Sequence, residues 1–374
     1  MDLLELRKKI DEIDAQIVSL YEQRMDVCKG VAQYKIDTGK KVFDKQRELE
    51  KLERVRSMTH SEFNAQGIEE LFEQIMSMSR KMQYQLLAQS GSLGKLPFIG
   101  VDALETKGAR VVFQGAPGAY SQAAMLKYFG EDVNSFYVET FREAMSAIDE
   151  GSADFAVLPI ENSTAGIVSE IYDLLVEFEN YIVGEQIIKI EHCLLGVPGA
   201  KKEDIRRVYS HPQSLMQSAR YLQQYDWQQI SMQNNAFAAQ KVATEKDKAQ
   251  AAIAGEHAAK LYGLQVLERG VNQSDSNSTR FIIVTNQKIF CRDAQKISIC
   301  FELPHKSGSL YHMLSHFIYN NLNMTKIESR PIEDRNWEYR FFVDFEGNLA
   351  DSAVKNALRG LRDEARNMKI LGNY

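Results

Sequence analysis

The first 88 residues contain no proline, and Leu6, Ile10, Ile13, Ile17, Leu20, Val27 and Val31 recur at spacings near three and four. That period marks one face of an α-helix. A helix from about residue 2 to 36 would be ~50 Å long at 1.5 Å per residue. A second helical pattern begins near Asp44, and a third runs from about Ile68 to Leu87. Three helices of such unequal length cannot cover the long stripe by themselves. An intertwined homodimer is therefore expected, with a residue near the start of one helix, such as Arg7, reaching the partner's pocket.

Polar residues interrupt these faces. Arg24 falls four after Leu20, and Lys35 falls four after Val31. Asp44 and Glu48 share a face with Leu52 and Val55, and Ser79 and Gln83 continue the face of Ile68, Phe72 and Ile75. Charges aimed at a core are costly unless paired. A buried salt-bridge network would account for one such residue. Two cations, two carboxylates, a serine and an amide together favour a ligand pocket, because arginine grips carboxylates in bidentate fashion. The set holds no nucleophile and no histidine. It suits a reaction that needs only positioning and charge stabilisation.

The rhythm then changes twice. Glycine and proline in "AQSGSLGKLPFIGVDALETKG" mark residues 89–108 as a linker. Over residues 109–286 short apolar runs ("RVVFQ", "DFAVLP", "RRVYS", "AAIAG") alternate with helical patterns, which predicts a mostly parallel, doubly wound α/β domain. Residues 297–374 read as strand "ISICFEL", helix Ser309–Asn321, strands "MTKIESR" and "EYRFFVDF", helix Ser352–Arg366 and strand "MKIL". This βαββαβ order fits a small α+β, ferredoxin-like domain. The 374 residues carry Lys+Arg 45 against Asp+Glu 51, a net charge of −6, which argues against a nucleic-acid binder. Cys28, Cys193, Cys291 and Cys300 form no metal or disulfide spacing. No signal peptide or membrane span is evident, so a cytoplasmic protein is expected.

Loops of the middle region gather hydrogen-bonding groups at helix starts, where anions bind. "QGAPGAYSQAA" is one; "PIENSTAGIV" supplies Asn162, Ser163 and Thr164; "YSHPQSLMQ" supplies Ser210, His211 and Gln213. "QSDSNSTRFIIVTN" brings Thr279 and Arg280 to the mouth of a strand. Singly these are ordinary N-caps and turn residues. In parallel sheets such loops meet at the carboxyl ends of strands, where ligands bind.

Two resemblances, and a third for the tail, sharpen this reading. Arg7, Arg24, Lys35, Asp44, Arg47, Glu48, Ser79 and Gln83, with "LRKKIDEIDAQIVSLYEQR", resemble the all-helical bacterial chorismate mutases over residues 1–88. The resemblance implies that Arg7 and Arg24 hold the two chorismate carboxylates. It sets Lys35 and Gln83 against the breaking ether bond, and Asp44 and Glu48 near the hydroxyl. Every matched residue lies in 1–88, so that region is expected to suffice for rearrangement. "GAPGAYS", "PIENSTAG", "SHPQ" and "STRF", in this order, resemble prephenate dehydratase, whose middle domain is periplasmic-binding-like. There the resemblance implies Thr279 as the catalytic residue, with Asn162, Ser163, Thr164, Ser210, His211 and Gln213 completing the prephenate site. Arg280 either pairs with a substrate carboxylate or forms a structural ion pair. Asn235 and Ala119 stand where that family usually carries small hydroxyl residues. "HKSGSLYHML" and "IESRPIEDRNWEYRFFVDF" resemble the ACT domain attached to these dehydratases. That implies feedback by phenylalanine, bound by Gly308, Ser309 and Leu310 of one domain with Glu328, Ser329, Arg330 and Pro331 of its partner. A bifunctional mutase–dehydratase needing no metal or organic cofactor is the resulting expectation. A non-catalytic ligand sensor is the alternative in another class.

Overall fold

The computed structural model describes residues 2–90, 96–333 and 335–374; residues 91–95 of the expected linker lie outside the described residues. The chain divides into two compact units. One comprises Met1–Phe98 with Gln295–Lys369, the other Ile99–Ala294 with Ile370–Tyr374.

The first unit opens with three helices: α1 (Leu3–Thr38), α2 (Lys45–Ser57) and α3 (Glu62–Gln89). At 36 residues α1 is ~54 Å long. It stops at Gly39, whose φ of 69° closes the helix in the left-handed region that suits glycine. Asp44 caps α2 by accepting from the Arg47 N–H. The third helix starts six residues before the Ile68 expected from periodicity. On α1 the apolar stripe remains open within one chain: Ile10, Ile13, Ile17, Leu20 and Val27 are each more than half exposed.

The same unit continues as strand Lys296–Glu302, helix Ser309–Tyr319, strands Met324–Pro331 and Tyr339–Glu346, helix Ser352–Glu364 and strand Arg366–Asn373. Strand Tyr339–Glu346 runs antiparallel between Lys296–Glu302 and Met324–Pro331. Phe301, Phe317 and Phe345 fill the core between sheet and helices. This is the βαββαβ order read from the sequence, with one correction at its end. Ile370–Tyr374 belong to the second unit, where Gly372 pairs in parallel with Ile182. A Cβ at Gly372 would lie 2.1 Å from the Ile182 carbonyl oxygen, so only glycine fits this approach.

The second unit has two α/β lobes. In the first, the strand order is Tyr181–Lys189, Ser278–Thr285, Phe155–Asn162, Arg110–Gln114, Asn134–Val138. The second lobe is ordered Gln265–Glu268, Cys193–Gly196, Gln250–Ala254, Arg207–Ser210, Gln228–Ser231. Four of the five strands in each sheet run the same way, as the sequence reading expects, and one strand in each is reversed. Ser278–Thr285 is antiparallel to both neighbours, and Cys193–Gly196 is antiparallel to both of its own. The physical reason is connectivity: the chain crosses to the second lobe after Lys189 and returns after Glu268. The returning strand enters the first sheet from the inter-lobe side. Periodicity reports that a strand exists but not its direction. The linker is also shorter than expected, because Ile99–Val101 forms a strand paired in parallel with Ile289–Cys291.

Candidate active sites

In the helical part of the first unit, Lys35 donates to the Val42 carbonyl at 2.7 Å, which ties the end of α1 to the turn before α2. Burial lowers its pKa, and the nearby carboxylates of Asp44 and Glu48 act in the opposite direction. Lys35, Asp44 and Glu48 therefore lie within electrostatic reach of one another. Arg24 donates to the Cys28 sulfur one turn further along α1, at 3.8 Å. Ser79 and Gln83 are buried, and Gln83 Nε2 donates to Ser79 Oγ at 3.2 Å. Gln83 Oε1 is buried with no hydrogen-bond partner. A buried orphan of this kind asks for a ligand or a reversed amide. With the amide reversed, Ser79 donates to Oε1 and the amide N–H groups become available to an acceptor such as an ether oxygen.

Two mutase residues are not brought in by this chain. Arg7 is exposed and lies about 26 Å along α1 from Arg24. Arg47 is exposed near the start of α2. One residue was missed. Arg80 is buried, and one arm of its guanidinium bonds Glu48. Met76, Arg80 and Tyr84 form a buried i, i+4 stripe on α3, so a cation inside an apolar stripe was the available signal.

The second unit gathers its site where the lobes meet. Thr279 is paired with Asn162 across adjacent strands and is 9% exposed. Asn162 is locked in orientation: its Oδ1 accepts from the Thr164 hydroxyl (2.8 Å) and from the backbone N–H groups of Thr164 and Ala165. Its Nδ2 must then face Asn277 Oδ1 (2.8 Å) and Thr279 Oγ1 (2.9 Å). Since Thr279 Oγ1 accepts from Asn162, the threonine proton is directed away from it, toward another acceptor. Ser163 staples the loop of residues 276–278 through its backbone and side chain.

Gln217, absent from the sequence reading, joins the lobes. Its Nε2 donates to Thr164 Oγ1 at 2.9 Å, and its Oε1 accepts from Asn277 Nδ2 at 3.2 Å. The same oxygen faces His192 Nε2 at 3.0 Å, so that nitrogen carries the proton. The Tyr120 hydroxyl, with one proton to give, lies 3.0 Å from both His192 Nδ1 and the Glu191 carbonyl. Burial lowers the His192 pKa and raises that of Tyr120, which keeps both neutral at physiological pH. The only sequence signal for Gln217 was its place one helical turn beyond Gln213.

Three expected prephenate residues are placed differently from one another. Ser210 is fully buried, with its hydroxyl 2.6 Å from the Ile253 carbonyl and 3.0 Å from Asn235 Oδ1. It braces the loop from beneath. Asn235 also accepts from the His211 N–H and donates to Ser214, so the amide takes up the bracing at the position where small hydroxyl residues are usual. His211 caps the helix of Gln213, and burial lowers its pKa. Arg280 forms the ion pair that was one of its two expected roles. It is held by Glu161 at 3.2 Å and Glu185 at 3.4 Å, with its side chain 13% exposed. Adjacent strand residues face opposite sides of a sheet, so Arg280 points away from the face that carries Thr279.

The chain matches the family model of chorismate mutase type II over residues 6–84 and that of prephenate dehydratase over residues 111–289. It is 33% identical over 380 residues to the bifunctional chorismate mutase/prephenate dehydratase of Escherichia coli K12, spanning 100% of this chain and 96% of that one. The chain belongs to the bifunctional chorismate mutase/prephenate dehydratase family. Chorismate mutase and prephenate dehydratase are its two activities. Among solved structures, the prephenate dehydratase of Arthrobacter aurescens in complex with L-Phe superposes with a TM-score of 0.66 at 27% identity, covering 71% of this chain and 89% of that one. A structure described as GqqA, a novel type of quorum-quenching acylase, has a TM-score of 0.65 at 32% identity, covering 71% and 97%. No described helix of this mutase–dehydratase is long and apolar enough to cross a membrane.

Proposed function

We propose that the helical part of the first unit rearranges chorismate and that the inter-lobe site of the second unit aromatises prephenate. In the first step the ether C–O bond breaks as a C–C bond forms within one molecule, and no proton moves. Lys35 and Gln83 stabilise negative charge growing on the ether oxygen, and Glu48 accepts from the substrate hydroxyl. Arg24 binds one carboxylate. The other falls to Arg7 of a second copy, across the exposed stripe of α1, which makes the working form a homodimer or a higher assembly.

In the second step the ring carboxylate leaves as carbon dioxide. Its bonding pair enters the ring, and the C–O bond to the ring hydroxyl breaks. Hydroxide is a poor leaving group, so a donor at that oxygen lowers the barrier. The observation that carries this reading is the Asn162 amide, which points at Thr279 Oγ1 and turns the threonine proton outward. Thr279 acts as a hydrogen-bond donor within the network, and the water formed takes its proton through that network from solvent. Ser163, Thr164, His211 and Gln213 complete the site. A coupled assay, chorismate in and phenylpyruvate out, tests the whole reading; absence of turnover in the purified protein would sink it.

The βαββαβ part is proposed as a ferredoxin-like ACT domain that binds phenylalanine. The L-Phe complex of the Arthrobacter relative supports this. Gly308 supports it too: its φ of 78° begins helix Ser309–Tyr319 without a side chain over the first N–H groups. Gly308, Ser309 and Leu310 of one domain would meet Glu328, Ser329, Arg330 and Pro331 on the edge strand of the other. A coupling of about 1–3 kcal/mol between effector and substrate would be typical. Truncation after Gln295 would also delete the strand residue Gly372 from the second unit, so a point change is the better probe. Leu310 is 38% exposed. Leu310→Lys should abolish phenylalanine binding in calorimetry and leave dehydratase turnover insensitive to the amino acid. Unchanged binding would place the sensor elsewhere.

A further inference from the structure

Arg80 lies between two carboxylates from distant parts of the chain. One terminal nitrogen bonds Glu48 on α2, and the other bonds Glu364 Oε1 at 2.9 Å, at the end of helix Ser352–Glu364. The guanidinium also packs over the Phe43 ring, 5.1 Å from its centroid. All three charged side chains are largely withdrawn from solvent, at 11% exposed for Arg80, 22% for Glu48 and 17% for Glu364. Burial works against the Glu364 charge, but the neighbouring His316 and Arg80 outweigh it and hold the carboxyl below its usual range. His316 Nε2 sits 3.2 Å from Glu364. One turn along α3, Tyr84 donates to Asp363, a separate contact with the same helix. Glu48, Arg80, Ser309, His312 and Glu364 line a single cavity of about 270 Å³.

We propose that Arg80 is a positioning residue for the mutase reaction and that Glu364, in the C-terminal domain, sets its position. This rests on the mutase pocket assigned above. A guanidinium is planar, and its donors leave in fixed directions. Held by Phe43 on its face and by Glu364 on one arm, it offers the other arm to Glu48 along one line. Arg80 occupies Glu48 Oε2. That leaves Oε1 to accept from a ligand hydroxyl and stops the carboxylate from turning toward Lys35. Every residue matched to the mutase family lies within 1–88, but this constraint comes from residue 364. The mutase site is therefore completed by a domain that carries none of its substrate contacts. Occupancy of Ser309 and its neighbours can reach the mutase site through the cavity they share.

The ion pairs could instead serve only to fasten the helix to α3, and the test separates the two roles. Replacing Arg80 itself would leave two buried carboxylates unpaired and endanger the fold. Glu364→Gln keeps shape and an acceptor while removing the charge. Asp363→Asn perturbs the neighbouring contact to Tyr84 and leaves Arg80 alone. Mutase kcat and KM are measured on the full-length protein for both variants, for Glu48→Gln and for the Glu48→Gln/Glu364→Gln double variant. Glu364→Gln should lower mutase kcat/KM by about tenfold or more, the scale of a misplaced catalytic group, and Asp363→Asn should lower it by less than about twofold, because the Glu364–Arg80–Glu48 arrangement stays intact. In the Glu48→Gln background, Glu364→Gln should cost nothing further, because the two act on one group. An equal loss in both backgrounds, or an Asp363→Asn effect as large as that of Glu364→Gln, would overturn the proposal. Absence of mutase turnover in the unsubstituted protein would instead overturn the pocket assignment itself.

Discussion

Thr279→Val should cut phenylpyruvate formation by about 10²–10⁴-fold, the range lost with a positioned proton donor, while prephenate forms from chorismate at the unsubstituted rate. Valine has nearly the shape of threonine and removes only the hydroxyl. The fold should tolerate it, because the Asn162 amide keeps Asn277 Oδ1 at 2.8 Å and the Ser278 carbonyl at 3.2 Å as acceptors. The half-buried amide loses one of three acceptors, a cost of order 1 kcal/mol in stability. Chorismate supplied to the variant should therefore accumulate as prephenate, followed by chromatography against time. Near-normal phenylpyruvate would remove Thr279 from its assigned role. A parallel loss of rearrangement would show that the two sites are coupled or the fold damaged.

Replacing Lys35 should raise the barrier to rearrangement by roughly 2.7–4 kcal/mol, the size of losing one donor to developing oxyanion charge. The structure adds a complication and its remedy. Lys35 also donates to the Val42 carbonyl, so Lys35→Ala removes a link between α1 and α2 as well as a charge. Lys35→Gln retains a donor for Val42 without the cation. Both variants should be slow, and the glutamine variant should unfold closer to the unsubstituted temperature. A glutamine variant with normal kcat would show that the charge is dispensable. The pH profile is a second readout. Burial, only partly offset by Asp44 and Glu48, lowers the Lys35 pKa, so the charged form is lost at lower pH than for an exposed lysine. Mutase activity should fall on the alkaline side as pH rises through that lowered value, and Lys35→Gln should lack this limb.

Much of this molecule was legible before its structure. Helix α1 was readable because apolar residues at helical spacing admit few other conformations. The βαββαβ order of residues 297–374 was readable because strand and helix periods differ. Lys35, Asp44 and Glu48 stood out as charges on apolar faces, and the structure brings those three together. What the linear chain did not carry was direction and distance. Ser278–Thr285 looks the same as a strand whether it runs parallel or antiparallel, and only the return from the second lobe turns it over. Arg280 was ambiguous because its partners, Glu161 and Glu185, lie 119 and 95 residues away. Gln217 and Asn277 become partners only when two lobes close on each other, and no local pattern encodes that. Arg80 is the sharpest case. Sequence spacing shows a cation among buried residues of α3, but the second carboxylate that fixes it is 284 residues distant. Periodicity is a property of neighbours along the chain, whereas the burial that makes an ion pair directional is a property of neighbours in space.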